Sequence, residues 1–237
     1  MIITCVTIFT MLNEKELNVE NINAHIDAHI RDISNEFRGG FEFLKKFPKS
    51  VTIFGSARLT KASSHYNDAQ KLAERIVDVL NYSVITGGGP GIMEAANLGA
   101  NQAGGNSVGL NIVIPHEQHT NPYTNSNYTF DYFFARKTML NFAAEAYVFF
   151  PGGFGTFDEL FGVLTLVQTK KIPSVPIILF GKDFWNPLKD YISGHMLKEH
   201  HTISEEDMNL FVITDSVDNT IKIIQDAPVS AWWKMVD

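Results

Sequence analysis

One stretch constrains this chain more than any other. The apolar run Ala146 to Phe150 breaks at Pro151 and passes through Gly152, Gly153 and Gly155. A segment with Leu160, Val163, Leu164 and Val167 at helical spacing follows. A strand, a turn poor in side chains and a helix start together make an anion site. The first helical N–H groups have no partner within the helix, and its dipole favours negative charge. Glycines let a phosphate come close to the backbone. Yet Asp158 and Glu159 lie in the same stretch and would repel a phosphate. The ligand that reconciles the two carries a phosphate and also a group on which a carboxylate can act. A plainer reading is a capping box, with Thr156 capping the helix and Glu159 reaching back to it. Capping alone does not require three glycines.

The rest of the chain is periodic in a way that suits such a unit. Val51 to Phe54, Ser83 to Thr86, Ser107 to Ile114, Val175 to Phe180 and Phe211 to Thr214 read as further strands. Helical patterns separate them, including Ala69, Leu72, Ala73, Ile76, Val77 and Leu80 on one face, and a helix carrying Arg136, Lys137, Met139, Leu140 and Phe142. Pro90 is expected at a first helical position. A polar connection from His116 to about Asn127 leads into the Arg136 helix. Strands alternating with helices predict an α/β fold, a doubly wound parallel sheet in three layers. Ligands bind such sheets at the carboxyl ends of the strands. The unusual loops fall there: Gly55-Ser56, Gly87 to Gly91, Pro115 to Glu117, and Pro151 to Thr156. Ahead of this domain (49–237), residues 1–48 read as a helical extension, with Ile22, Ile26, Ile30 and Ile33 in helical register and Gly39-Gly40 as an interruption.

Composition removes several function classes. The formal net charge is −7 with no basic block, so binding to nucleic acid through a broad positive surface is not expected. The single cysteine, Cys5, excludes an internal disulfide and is read as inert. Met1 to Leu12 lacks the basic start of a signal peptide and the length of a membrane span, so a cytoplasmic protein without membrane association is expected. His25 and His29 stand at i, i+4, and His116 and His119 flank Glu117, but neither pair has a third ligand in view. No metal is expected. Neither glycine turn reads G-x-G-x-x-G, because Ile92 and Asp158 occupy the final positions. No Lys followed by Ser or Thr completes a Walker loop.

With both turns placed, the chain resembles the LOG ("Lonely guy") family of nucleoside 5′-monophosphate phosphoribohydrolases, long mislabelled as lysine decarboxylases. The family signature P-G-G-x-G-T-x-x-E matches from Pro151 to Glu159. Gly87 to Met93 is similar to its second glycine turn, Arg136-Lys137 to its Arg-Lys pair, and Glu117 and Thr165 to two further family positions. The resemblance covers roughly Val51 to Gly181. It implies a Rossmann-like fold, a homodimer or larger homo-oligomer with sites near the subunit interface, and no cofactor. The implied reaction is hydrolysis of the N-glycosidic bond of AMP or an N6-modified AMP such as a cytokinin ribotide, releasing free base and ribose 5-phosphate.

Under this resemblance Glu159 and Arg136 are the catalytic candidates. Glu159 is expected to stay ionised near a helix N-terminus and to stabilise positive charge on the ribose or activate water. Arg136 would assist the departing base or hold the phosphate. Substrate-binding positions would be Gly153, Phe154, Gly155 and Thr156 for the phosphate, with Gly88, Gly89, Gly91 and Ser56 supporting it. Glu117, Lys137, Asp158 and Thr165 complete the set. The chain departs from short plant-type members in its N-terminal extension, in Glu94 where they carry Gly, and in a longer segment between Glu117 and Arg136. It looks more like the longer bacterial branch, which leaves the preferred base open. Two other readings remain: a nucleotide or phosphorylated-cofactor carrier on the same fold, similar to molybdenum-cofactor carriers, and the decarboxylase of the old label. The latter needs a lysine at a strand end for pyridoxal phosphate, and none stands there.

Overall fold

The computed structural model describes residues 19–114, 120–142 and 144–230. Helix α1 (Val19–Leu44) leads into β1 (Ser50–Phe54). Next come α2 (Ser64–Arg75), prolonged by one wider turn to Leu80, β2 (Ser83–Thr86), α3 (Ile92–Gln102) and β3 (Ser107–Ile112). β4 (Ser126–Phe130), α4 (Phe133–Leu140), β5 (Ala144–Phe149) and α5 (Phe154–Gln168) build the middle of the chain. β6 (Ile177–Phe180), α6 (Lys182–Tyr191), β7 (Val212–Thr214) and α7 (Val217–Asp226) close it.

The seven strands form one parallel sheet in the order β4-β3-β2-β1-β5-β6-β7. The chain winds outward from β1 to β4 on one side, then returns beside β1 with β5 and winds the other way. The order reverses between β1 and β5, so the loops leaving these two strands must diverge and open a crevice at their carboxyl ends. Strands buried on both faces explain the continuous apolar runs of the sequence. Within β5, Tyr147 and Phe149 point to one core with Phe54, Ile85, Leu110, Leu160 and Trp185. Ala146, Val148 and Phe150 point to the other, with Ile53, Leu72, Ile92 and Ile221.

Three expectations are corrected. α1 runs unbroken through Gly39-Gly40. Those glycines give close approach instead: a Cβ on Gly39 would strike the Tyr128 ring, and one on Gly40 the Met139 side chain. Helix α3 starts after Gly91, whose φ of 73° favours glycine, so Pro90 precedes the helix rather than opening it. Between the polar connection and the Arg136 helix lies an extra strand, β4. Its alternate exposed and half-buried residues pair with Val108 to Ile112 at the sheet edge, where no long apolar run is required. Among the described residues, no helix is long and apolar enough to cross a membrane.

Candidate active site at the sheet's switch point

The crevice between β1 and β5 is a cavity of about 810 Å³. Its walls come from the β1 loop (Gly55 to Arg58), from Gly87 and Met93, from Phe133 and Arg136 of α4, and from Gly152 to Glu159. Ser56 links the loops, with its N–H on the Pro151 carbonyl and its own carbonyl accepting from Ile92 N, both at 3.0 Å.

Gly153 is the N-cap of α5, and the first helical bond runs from Phe157 N to the Gly153 carbonyl. The N–H groups of Phe154, Gly155 and Thr156 therefore precede the ladder and face the cavity mouth. This overturns the capping box. Thr156 lies inside the helix, its side chain folds against Gly152, and no side chain caps the turn. The glycines divide by cause. A Cβ on Gly152 would collide with Thr156, whereas one on Gly153 or Gly155 would meet nothing within 4 Å. Neither of these two has a positive φ. Packing explains Gly152; open space in front of the helix start is what Gly153 and Gly155 preserve.

Glu159 sits in the second turn of α5, beyond the reach of the dipole that was expected to keep it ionised. Its Oε2 is buried and accepts no hydrogen bond. Loss of water pushes its pKa up to about 7, against the pull of Lys137 and Arg136 and with a further push from Asp158. Desolvation wins over the nearby cations. Glu159 is thus an under-solvated carboxyl poised near neutrality, at a wall of the cavity.

Arg136 is held rather than loose. Its Nε donates to the Leu110 carbonyl at 2.7 Å and its guanidinium also to the Gly87 carbonyl at 3.1 Å, pinning it to the ends of β3 and β2. Burial lowers its pKa while Glu159 supports its charge. Gly87 is needed for this contact, because a Cβ there would run into the guanidinium. Carbonyl anchoring accounts for a cation in the first half of a helix without a surface salt bridge.

The structure thus brings Ser56, Arg136, Gly153, Phe154, Gly155, Thr156, Asp158 and Glu159 together around one cavity. Gly88, Gly89 and Gly91 are buried behind its wall. The Gly88 and Gly89 carbonyls accept from Asn121 N and Nδ2, and Gly91 packs on the Ser56-Ala57 backbone. Lys137 and Thr165 line a neighbouring apolar hollow of about 890 Å³ between α4 and α5, which shares Phe154, Phe157 and Asp158 with the cavity. Glu117, His116, His119, Cys5, Trp232 and Trp233 lie outside the described residues. His29 Nδ1 bonds the Tyr132 hydroxyl at 2.8 Å. Glu94 accepts from Tyr66 at 3.0 Å between α2 and α3, which gives this departure a packing role.

Sequence reasoning named Gly87 only within its turn and missed Arg58 and the asparagines behind the turn. Gly87 and Arg58 were visible as a strand-end glycine and as a cation after the β1 turn. Asn97 accepts from Thr86 at 2.6 Å and from Asn121 at 2.9 Å, so it ties the Gly87–Gly91 turn to the segment after β3. No sequence spacing announces that network.

Comparison with known proteins agrees with this geometry. A family model described as "Possible lysine decarboxylase" matches residues 93–224, more than half of the chain. The chain belongs to this LOG or lysine-decarboxylase-like family. A cytokinin riboside 5′-monophosphate phosphoribohydrolase of Rhodococcoides fascians is 28% identical over 61% of the chain and 74% of its own length. One from Oryza sativa subsp. japonica is 29% identical over 62% of the chain and 61% of its own length, so the chain spans less than two thirds of that relative. Among solved structures, a structural-genomics target superposes with a TM-score of 0.57 at 24% identity, over 76% of the chain and 99% of its own. The molybdenum cofactor carrier protein of Chlamydomonas reinhardtii gives 0.54 at 18%, over 75% and 96%. At these identities the structures speak for the fold alone. The LOG family signature, read in three dimensions, is the strand end, the open helix start and the carboxyl of one cavity. The decarboxylase description finds no support in it: no lysine is among the described residues lining the cavity, and Lys137 pairs with Asp158 at its edge.

Proposed function

We propose that the protein hydrolyses the N-glycosidic bond of a nucleoside 5′-monophosphate, AMP or an N6-modified AMP, to free base and ribose 5-phosphate. The observation that carries this reading is the pairing, in one cavity, of a carboxyl with a buried, unbonded oxygen and a helix start whose glycines face open space. The helix start receives the phosphate on its free N–H groups. That places the ribose toward Glu159. Cleavage passes through an oxocarbenium-like sugar, and the Glu159 carboxylate offsets its positive charge and takes a proton from the attacking water. The bond from C1′ to the base nitrogen breaks, the water oxygen bonds to C1′, and a proton goes to the departing base. Arg136, fixed by two carbonyls, offers its remaining N–H groups to the base or the phosphate. The names of the two plant and bacterial relatives support this substrate class.

A homodimer is part of the proposal. Phe154 is 96% exposed and joins the cavity to the apolar hollow, where Phe134 and Phe161 are also exposed. A second copy on this ring would cover it and border the cavity. Light scattering of the purified protein should give twice the chain mass; a monomer removes this part.

Phosphate binding remote from the broken bond can be used in the transition state. Monophosphates should therefore be cleaved and the plain nucleoside hardly at all. Product analysis with AMP, N6-isopentenyl-AMP, other monophosphates and adenosine tests this, and equal rates on AMP and adenosine would overturn it. Tight nucleotide binding without base release would instead favour a carrier, the role named for the Chlamydomonas protein of the same fold.

A further inference from the structure

Gly162 lies in the middle of α5, where a glycine is less favourable than alanine by about 1 kcal/mol. It is neither a turn nor a positive-φ position. A Cβ there would meet a single side chain, Lys137, at 3.0 Å from Cε and 3.2 Å from Nζ. The lysine crosses from α4 over this notch and ends on Asp158, one helical turn earlier. Its ammonium donates to the Asp158 carbonyl at 3.1 Å and pairs with the carboxylate at 2.7 Å. Two acceptors from one residue and a missing side chain beneath hold the charge in one place. Gly162 follows Glu159 by three residues, a spacing that puts two helical positions on one face, so the cation held over Gly162 stands beside the cavity carboxyl.

The groups that act on Glu159 come from three elements. Arg136 and Lys137 of α4 favour its anion, Asp158 of α5 opposes it, and the buried Tyr147 of β5 also interacts with it. Arg136 is committed to carbonyls and faces the ligand space. Lys137 lies in the adjoining hollow, where it can stay in place while substrate enters and leaves.

We propose that Lys137, lodged over Gly162 and tethered to Asp158, is a positioning residue that fixes a positive charge beside Glu159 and so sets the pH range in which that carboxylate is available. Its catalytic consequence rests on the function proposed above; its electrostatic content can be read on the protein alone.

The test is a substrate-free NMR titration of the glutamate side-chain carboxyls in 13C-labelled protein, with Glu159→Gln identifying the resonance. In Lys137→Met the Glu159 midpoint should rise by about one pH unit. Lys137→Arg should restore it most of the way. Gly162→Leu keeps the lysine but fills its notch, and should shift the midpoint in the same direction as Lys137→Met. In turnover, the acid limb of kcat/KM should move with the midpoint. A Lys137→Met protein that melts like wild type and titrates within about 0.3 unit of it would overturn the proposal. If that variant fails to fold, an unshifted midpoint in Gly162→Leu overturns it equally. Wild-type protein that cleaves no monophosphate would count against the substrate assignment, while the midpoints would still decide the clamp.

Discussion

At the scale of the residue, Glu159 is where sequence and structure part most instructively. The sequence set it in the stretch that lines the cavity and set the helix start too late. Counting from Thr156 put Glu159 in the first turn, where a dipole keeps acids ionised; counting from Gly153 puts it in the second, where burial prevails. The error has a physical source, because nothing in P-G-G-F-G-T marks which residue first adopts helical angles. A measurable linkage follows. A carboxyl whose pKa is raised on folding contributes stability fully below its unfolded value and loses it as pH rises through the folded value. The window here runs from the ordinary 4.5 to about 7. Glu159→Gln removes the titration. The variant should therefore gain on wild type by about 3 kcal/mol between pH 4 and pH 8, whatever their difference at pH 4. Urea unfolding at the two pH values checks this. A constant difference would show that Glu159 is not desolvated.

At the scale of the element, the α5 helix start joins fold and chemistry. Its glycine count was legible in the sequence, but the causes behind each glycine were not. Gly152 makes room for Thr156, and Gly87 for the Arg136 guanidinium. Gly162 makes room for Lys137, and of the glycines from Gly152 to Gly162, Gly153 and Gly155 face open space. A glycine kept for a ligand differs from one kept for the fold in what alanine does to it. Gly155→Ala enters a helical position with no neighbour to strike, so the protein should be as stable as wild type or gain up to about 1 kcal/mol. The same methyl group stands before the N–H groups proposed to take the phosphate. KM for a monophosphate should rise at least about tenfold, a loss of about 1.4 kcal/mol. Thermal melting and steady-state kinetics on one preparation separate the two effects. A fall in stability with unchanged KM would make Gly155 a structural glycine.

At the scale of the whole molecule, the parallel α/β sheet was legible from its alternating apolar runs, and its edge was not. β4 lacks such a run because only part of it is covered, and the tertiary pairing that creates it leaves little trace in S-N-Y-T-F. As a sequence, residues 1–48 read as a helical extension packing on the main domain or on a partner subunit. In the structure the second half of α1 is woven into the layer that carries Arg136. Leu44 and Phe47 are core residues, Phe37 stacks on Phe134, and Phe41 meets Phe142 edge-on at 4.8 Å. The Glu36 carboxylate accepts from the backbone N–H groups of Asp131 and Tyr132, just ahead of α4. The first half differs: Ile22, Ile26 and Ile30 are exposed. The boundary between dispensable and required chain should therefore fall inside α1, near Ile33, rather than at residue 48. Protein starting at Arg31 should keep the wild-type far-ultraviolet circular dichroism and monophosphate turnover. Protein starting at Lys49 leaves Phe130 and Met139 uncovered and takes the Glu36 acceptor from the N–H groups before α4. Uncovering each large apolar side chain costs roughly 1.5–3 kcal/mol, a large share of a domain's total of about 5–15 kcal/mol. That shorter protein should melt far lower or aggregate, with turnover lost. If it retained wild-type melting and turnover, α1 would be an appendage after all, and Arg136 would owe its position to β2 and β3 alone.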